Sequence, residues 1–315
     1  MQRRIIKLGK ATFVTSLPSK WVKRFNLKQG DYLEVEEKQN LLLLKTTSDV
    51  SVTTKEIDLT NLDTKLIERA LRAAYIKGYE EIKITFKKDK TTHLKTGKEI
   101  SILTLIEELV STQLIGMEII EQRIQSCTIK DITQLQASEF DNVLRRIFLI
   151  LKSFSQDTLE KMKTKSENSS DFKAVRNTIT RLSNYAKRLL HRAKHEDTFT
   201  TSQNFFLINT LNQIASVYEL ISAEAANNKN NIHKDVLEAF TLTNISLNSF
   251  YELFYKFSQE RTLEIMVQRN SFFSIANKLQ YDTKTKTSDV LLLSRLSVII
   301  MYLSYITETT INLHS

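Results

Sequence analysis

Five glycines and one proline serve a chain of 315 residues. So few turn formers and helix breakers argue for long uninterrupted helices and few tight turns. From about Gln134 onward the pattern is helical. Phe140, Leu144, Ile147, Leu151 and Phe154 form one stripe, as do Leu207, Leu211, Ile214, Tyr218 and Ile221, and Leu292, Leu296, Ile299, Leu303 and Ile306. Steps of four and three are the seam of a helical bundle. Polar breaks at Glu167–Ser170, Glu196–Thr201, Asn227–Asn231, near Ser258-Gln259 and at Asp282–Thr287 divide this half into six helices, 134–166, 171–195, 202–227, 232–257, 259–281 and 287–312. Two sets of three helices of similar length suggest an internal duplication. The most apolar run, Val290–Ile306, is interrupted by Arg295, Ser294, Ser297 and Ser304 and reads as a core helix, not a membrane span.

Ahead of the helices lies a compact α/β segment. Asp49–Thr54 is a short β-like run. Asp63–Lys77 carries Leu66, Ile67, Ala70, Leu71, Ala74 and Tyr75 at helical spacing, with Gly78 as its stop. Glu81–Lys87 alternates as a strand, Lys98–Gln113 reads as a helix, and Gly116–Glu121 and Arg123–Ile129 read as two strands. Glu80-Glu81 and Glu107-Glu108 are neighbours that diverge in any regular element, so they read as solvated charges.

The first 28 residues carry Arg3, Arg4, Lys7, Lys10, Lys20, Lys23, Arg24 and Lys28 and no acid. Residues 1–45 hold +6 of the net +9, leaving +3 for the other 270. Charge concentrated in this way makes a docking face for phosphate. Lysine on a β edge also blocks aggregation, but eight bases without an acid exceed that need. Around the charge, Ile5, Lys7 and Gly9 alternate with Arg4, Ile6 and Leu8, and Gly9 breaks the run. Thr12–Leu17 is a second short strand stopped by Pro18. Ser19 is placed to cap a short helix holding Trp21, Val22 and Phe25. Gly30-Asp31 then turns into strands Tyr32–Glu36 and Leu41–Lys45, joined by Gln39-Asn40.

That order, in KLGKATFVTSLPSKWVKRFNLKQGDYLEVEE, resembles a SpoVT/AbrB-type swapped-hairpin domain over roughly the first 45 residues. The shared pattern is a basic pair, L-G-basic, a short strand, a proline, a short helix, L-x-x-G-D and an alternating strand. The resemblance implies an interlocked homodimer whose basic face binds DNA. Arg3, Arg4 and Lys10 fall where such domains keep DNA-contacting bases, and Lys23 falls near such a position. With Lys7 and Lys20 they make the expected DNA-binding set. The following segment, ending in GMEIIEQRIQSCTIKDI, and the six helices resemble archaeal PhoU-like regulators. That likeness extends over essentially the whole chain and implies a role in phosphate-responsive control.

PhoU-type bundles carry paired acidic residues that bind metal. Here the corresponding stretches hold Asn177, Thr178 and Thr180, then Asn212 and Ser216, with the third near Met301 and Tyr305. Neutral groups do not offset a multivalent cation, so no metal and no cofactor is expected. His191 and His195 lie four apart among Arg188, Arg192 and Lys194, a cationic setting that disfavours a metal. Cys127, the one cysteine, reads as a small packed residue. It excludes an internal disulfide and points to a reducing, cytoplasmic setting. The charged N-terminus, with no apolar stretch behind it, shows no signal peptide. Tyr251, Phe254, Tyr255 and Phe257 read as core or dimer surface. There is no Gly-rich phosphate loop, H-E-x-x-H, C-x-x-C or G-x-S-x-G, so nothing points to an enzyme.

The expectation is an α+β multidomain chain: a swapped-hairpin DNA-binding domain at 1–47, a small α/β linker domain at 48–131, and a PhoU-like bundle at 132–315. The expected function is DNA-binding transcriptional regulation tied to phosphate homeostasis, with DNA and a second copy of the chain as partners. The alternative is an interaction module that docks on a phosphate-transporter ATPase or a sensor kinase without DNA. An antitoxin would not require so long a helical domain.

Overall fold

The computed structural model describes residues 2–38, 41–46, 53–133, 139–164, 172–192, 198–227, 232–282 and 285–314. The chain forms two compact units, Met1–Val52 and Thr53–Ser315. The first is a small β region. The second joins a mixed α/β segment to a long helical region, and the whole is α+β.

In the first unit, β1 (Ile6–Leu8) and β2 (Thr12–Val14) form an antiparallel hairpin. The helix α1 (Ser19–Arg24) follows, and β3 (Leu33–Lys38) pairs with β4 (Leu41–Thr46). The two hairpins are separate two-stranded sheets. The expected strand to Leu17 stops at Val14, because β1 offers three residues to pair with. Ser19 does not cap α1. Pro18 is the N-cap residue, its carbonyl accepts the N–H groups of Trp21 and Val22 at 2.9 and 3.0 Å, and Ser19 is already helical. Proline, with φ fixed near the helical value, suits this entry. The Gln39-Asn40 turn lies outside the described residues.

Along the second unit come β5 (Thr54–Asp58), α2 (Thr64–Ile76), β6 (Glu81–Thr85), β7 (Lys90–Thr92), β8 (Glu99–Ser101), α3 (Ile102–Gln113), β9 (Met117–Arg123) and β10 (Ser126–Asp131). The main sheet has the order β5-β6-β10-β9, with β5 and β6 parallel and the rest antiparallel. A parallel pair needs a crossover, and α2 supplies it. Asp63 caps α2 by accepting the Leu66 N–H at 2.8 Å. Gly78, at φ +84, ends it and donates its N–H to the Tyr75 carbonyl at 3.0 Å. The apolar faces of α2 and α3 (Ile67, Leu71 and Tyr75; Ile106 and Leu109) close over Ile82, Ile84, Cys127 and Ile129 of the sheet. The helix expected from Lys98 begins at Ile102, because Glu99–Ser101 pairs with Lys90–Thr92 instead. Of the β-like run expected at Asp49–Thr54, residues 49–52 lie outside the described residues, and the strand runs Thr54–Asp58.

Six helices follow among the described residues: α4 (Glu139–Thr164), α5 (Phe172–Arg192), α6 (Thr198–Asn227), α7 (Lys234–Tyr255), α8 (Gln259–Gln280) and α9 (Thr287–His314). The three apolar stripes read from the sequence are buried together in one core, with Phe140 partly buried at its margin. Phe148 packs against Tyr251 and Phe254, ring centroids 5.6 Å apart in both pairs, and these two and Phe257 pack partly buried against this core, whereas Tyr255 is exposed. α9 is long and apolar enough to cross a membrane. One side of it, Leu292, Leu296, Ile299, Leu303 and Ile306, is buried in the helical core.

α5 belongs to both layers. Ile179, Leu182, Ala186 and Leu190 enter the helical core, whereas Tyr185 and Leu189 enter the core of the α/β segment. Its polar side is tied down as well. Arg188 is fully buried and donates to the Tyr75 carbonyl at 2.6 Å, the Tyr79 carbonyl at 2.9 Å and Asp131 Oδ2 at 2.6 Å. Arg192 reaches Asp131 at 3.2 Å and Glu80 at 2.7 Å. The charges of Arg188 and Arg192, expected beside His191, are thus paired with carboxylates, and Glu80 is an ion-pair partner, not a solvated charge. A buried guanidinium needs acceptors, and for Arg188, Asp131 and the Tyr75 and Tyr79 carbonyls, far away in sequence, supply them. His191 itself is exposed, its ring edge-on to Phe205, and His195 lies outside the described residues.

Candidate nucleic-acid interface

All six expected contact residues, Arg3, Arg4, Lys7, Lys10, Lys20 and Lys23, are exposed. The sequence positions them in two groups. Arg3 and Arg4 lead into β1, Lys7 is its middle residue, and Lys10 lies in the turn to β2. The Arg4 carbonyl accepts the Thr15 hydroxyl at 3.4 Å, which ties it to the open end of the hairpin. Lys10 marks the closed end, on the order of 15 Å away across four extended residues and the start of the turn. That span fits a row of contacts along a phosphate backbone. Lys20 and Lys23 lie three apart on α1 and share a side of it. Trp21 and Phe25 of the same helix meet each other, ring centroids 5.5 Å apart.

Many apolar residues of this unit are exposed too, although Leu17, Trp21, Val22, Leu27, Leu33 and Leu44 are half-buried. Ile6, Leu8 and Val14 share one face of the first hairpin, and Phe13 shares the other with Lys7. In the second hairpin Leu33, Val35, Leu42 and Leu44 share a face. Among the described residues of this unit none is buried, and Val35 and Leu42 are about 60% exposed. A two-stranded hairpin is marginal alone, and a unit of this size buries little apolar surface by itself.

A second concentration of positive charge lies in the other unit, and sequence reasoning missed it. Three of the neutral positions, Thr180, Asn212 and Ser216, come together around the guanidinium of Arg176. It donates to Thr180 Oγ1, to Asn212 Oδ1 at 3.0 Å, and to Ser216 Oγ at 2.6 and 3.0 Å. Asn177 and Thr178 are exposed and do not join them, and Met301 and Tyr305 lie on the exposed side of α9. One helical stripe onward, the ammonium of Lys187 donates to Asn209 at 2.7 Å. From α2, Arg72 donates to Gln113 of α3 at 2.8 Å. The three cations influence one another. Burial first, then Arg72 and Arg176, push the Lys187 ammonium down to about 8. The spacing of Arg176, Thr180, Ser183 and Lys187, by four, three and four, was a usable signal, but it needs the facing amides of α6 to acquire meaning.

Cys127 is buried in β10, where burial first and Glu107 second push its thiol up to about 11, so it stays protonated and inert at neutral pH.

Comparison of the chain with protein-family models, curated proteins and solved structures gave no match.

Proposed function

We propose that this chain is a non-enzymatic, DNA-binding transcriptional regulator that works as a homodimer through Met1–Val52. One observation carries the reading: six exposed basic residues sit on a unit none of whose described residues is buried. The open apolar faces of the two hairpins call for a second copy. A swapped-hairpin dimer would bury them and set the bases of both copies on one surface. Arginine's planar fork suits a base edge or a phosphate, whereas Lys7 and Lys10 suit phosphate alone. The link to phosphate homeostasis, with a PhoU-like bundle as the sensing part, rests on the sequence resemblance.

A second reading has an observation of its own. α8 and α9 leave Leu263, Met266, Val267, Met301 and Tyr305 exposed. Such a face suits docking on a transporter ATPase or a sensor protein without DNA.

Titration of wild type and an Arg3/Arg4/Lys7/Lys10→Ala variant against specific and random duplexes at several salt concentrations separates the two. Up to eight contacts per dimer give a log–log salt slope between about −4 and −7, and the variant flattens it. A folded, dimeric quadruple variant that binds DNA as well as wild type would overturn the first reading in favour of the second.

A further inference from the structure

We propose that the junction of α2, α5 and α6 is a binding site for a tetrahedral oxyanion, held by Arg72, Arg176 and Lys187 with the buried amide of Asn184 and hydroxyl of Ser183 beside them. This goes beyond the reading of the N-terminal unit and does not depend on it.

This unit pairs two other cations of α5, the buried Arg188 and the half-buried Arg192, closely with carboxylates. Arg188 meets Asp131 at 2.6 Å, and Arg192 meets two carboxylates. At the junction the counter-charge is distant. Glu68 stands 4.0 Å from Arg72 and Glu219 stands 3.9 Å from Arg176, both at the limit of an ion pair. Lys187, 6% exposed, is held by the neutral Asn209, and among the described residues no carboxylate reaches it. Three like charges brought together from two helices, Arg72 from α2 and Arg176 and Lys187 from α5, repel, and the fold keeps them there.

A second observation is independent of the charges. Ser183 and Asn184 are buried, yet among the described residues Ser183 Oγ and Asn184 Nδ2 have no hydrogen-bond partner, and neither has Arg72 Nε. Ser183 lies between Thr180 and Lys187 on one stripe of α5, and Asn184 borders that stripe. Buried donors without acceptors are uncommon, and these can take an acceptor. Guanidinium forks, an ammonium, an amide and a hydroxyl together offer many donors and excess positive charge. A sulfate or phosphate group has the complementary set, several acceptor oxygens and two or more negative charges. Arg72 and Arg176 keep 29% and 16% of their side chains open to solvent, so the site is reached from outside while Lys187 lies deeper.

The test is calorimetric titration of the full chain with sodium sulfate, inorganic phosphate and ATP in low-salt buffer at pH 8. Saturable sulfate or phosphate binding, weakened at least tenfold by Lys187→Met and by Arg176→Gln and retained in the Arg3/Arg4/Lys7/Lys10→Ala variant, supports the site. Phosphate outcompeting ATP assigns it to the free anion, and the reverse assigns it to a phosphoryl group on a larger molecule. Sulfate does not titrate at this pH, so wild type alone gives a second readout. Anion binding restores the proton to Lys187, whose ammonium titrates near 8 under the influence of Arg72 and Arg176, with Glu219 and Glu68 at the edge. Roughly half a proton per bound sulfate is then taken up, seen by repeating the titration in buffers of different ionisation enthalpy. No saturable binding of any of the three at millimolar concentration, binding that both variants leave intact, or sulfate binding without proton uptake would each overturn the proposal.

Discussion

Arg188 Nη2 donates to Asp131 Oδ2 at 2.6 Å, with the two side chains 0% and 4% exposed. The pair joins the last strand of the sheet to the helix shared by both cores. Removing one partner leaves the other charged and buried. Asp131→Ala or Arg188→Met should each cost about 3–5 kcal/mol in urea unfolding. Burial raises the Asp131 carboxyl, but hydrogen bonds from Arg188 and Thr133, with the charge of Arg188, more than offset it, and the group is held below its ordinary value. Its contribution is present above about pH 4 and is lost as the pH falls further, through the value in the folded protein. The stability gap between wild type and Asp131→Asn should therefore close in acid. A gap that stays constant down to pH 2 would show that the carboxylate charge is irrelevant.

Lys187 predicts the opposite behaviour. Its ammonium titrates near 8 in the fold and near 10.4 when unfolded, so below pH 8 the buried charge opposes folding. Lys187→Met should raise stability by about 1–3 kcal/mol at pH 7 in anion-free buffer. The unfolded chain holds the extra proton between pH 8 and about 10.4, so wild type gains relative to the variant across that window. Thermal unfolding at pH 7, 9 and 10.5 measures it, and a variant less stable than wild type at pH 7 contradicts the assignment.

Gly116 has φ +83, and a Cβ there would stand 2.6 Å from Thr133 Oγ1 and 2.8 Å from its Cγ2. Thr133 cannot move aside freely, because its hydroxyl and its N–H both bind Asp131 Oδ1, at 2.7 and 2.9 Å. Gly116→Ala should cost about 2–4 kcal/mol, and Gly97→Ala, with the same hand of φ but open space around it, about 1–2. Equal losses at the two sites would mean that the backbone alone, not the contact with Thr133, decides.

Val35 and Leu42 share the apolar face of the second hairpin. If a second copy covers that face, Val35→Lys with Leu42→Lys should abolish the dimer at micromolar concentration, measured by light scattering. Sequence-independent DNA affinity should fall with it, since half of the phosphate contacts are then lost. A double variant that remains dimeric places the contact elsewhere.

Long repeated patterns were the most legible part of the chain. Stripes sustained over four or five turns located α4, α6 and α9, the polar breaks located α5, α7 and α8, all within a few residues, and the alternation of Ile82 and Ile84 located β6. The β7–β8 hairpin was not legible, because three residues a side are too short for any period and Gly97 was the one turn residue to mark it. Nor was the role of Arg188. Its acceptors are 57 residues away and more, and on a helix rich in Arg and Lys it looks like one more surface charge. The basic N-terminal residues were legible as a group, since charge without compensation needs no fold to be seen. The Arg72–Arg176–Lys187 junction was not, because its meaning depends on which neutral side chains face it.

The double membership of α5 has a thermodynamic consequence. Cutting the chain between Asp131 and Phe172 would strip Tyr185 and Leu189 from the sheet and strand the acceptors of Arg188, while the helices would keep a helix with a bare side. Neither piece is self-sufficient. Heat should melt Thr53–Ser315 in a single calorimetric transition, with van't Hoff and measured enthalpies equal. Amide protons of β6 and β10 should exchange through the same global opening as those of α5, at one common free energy.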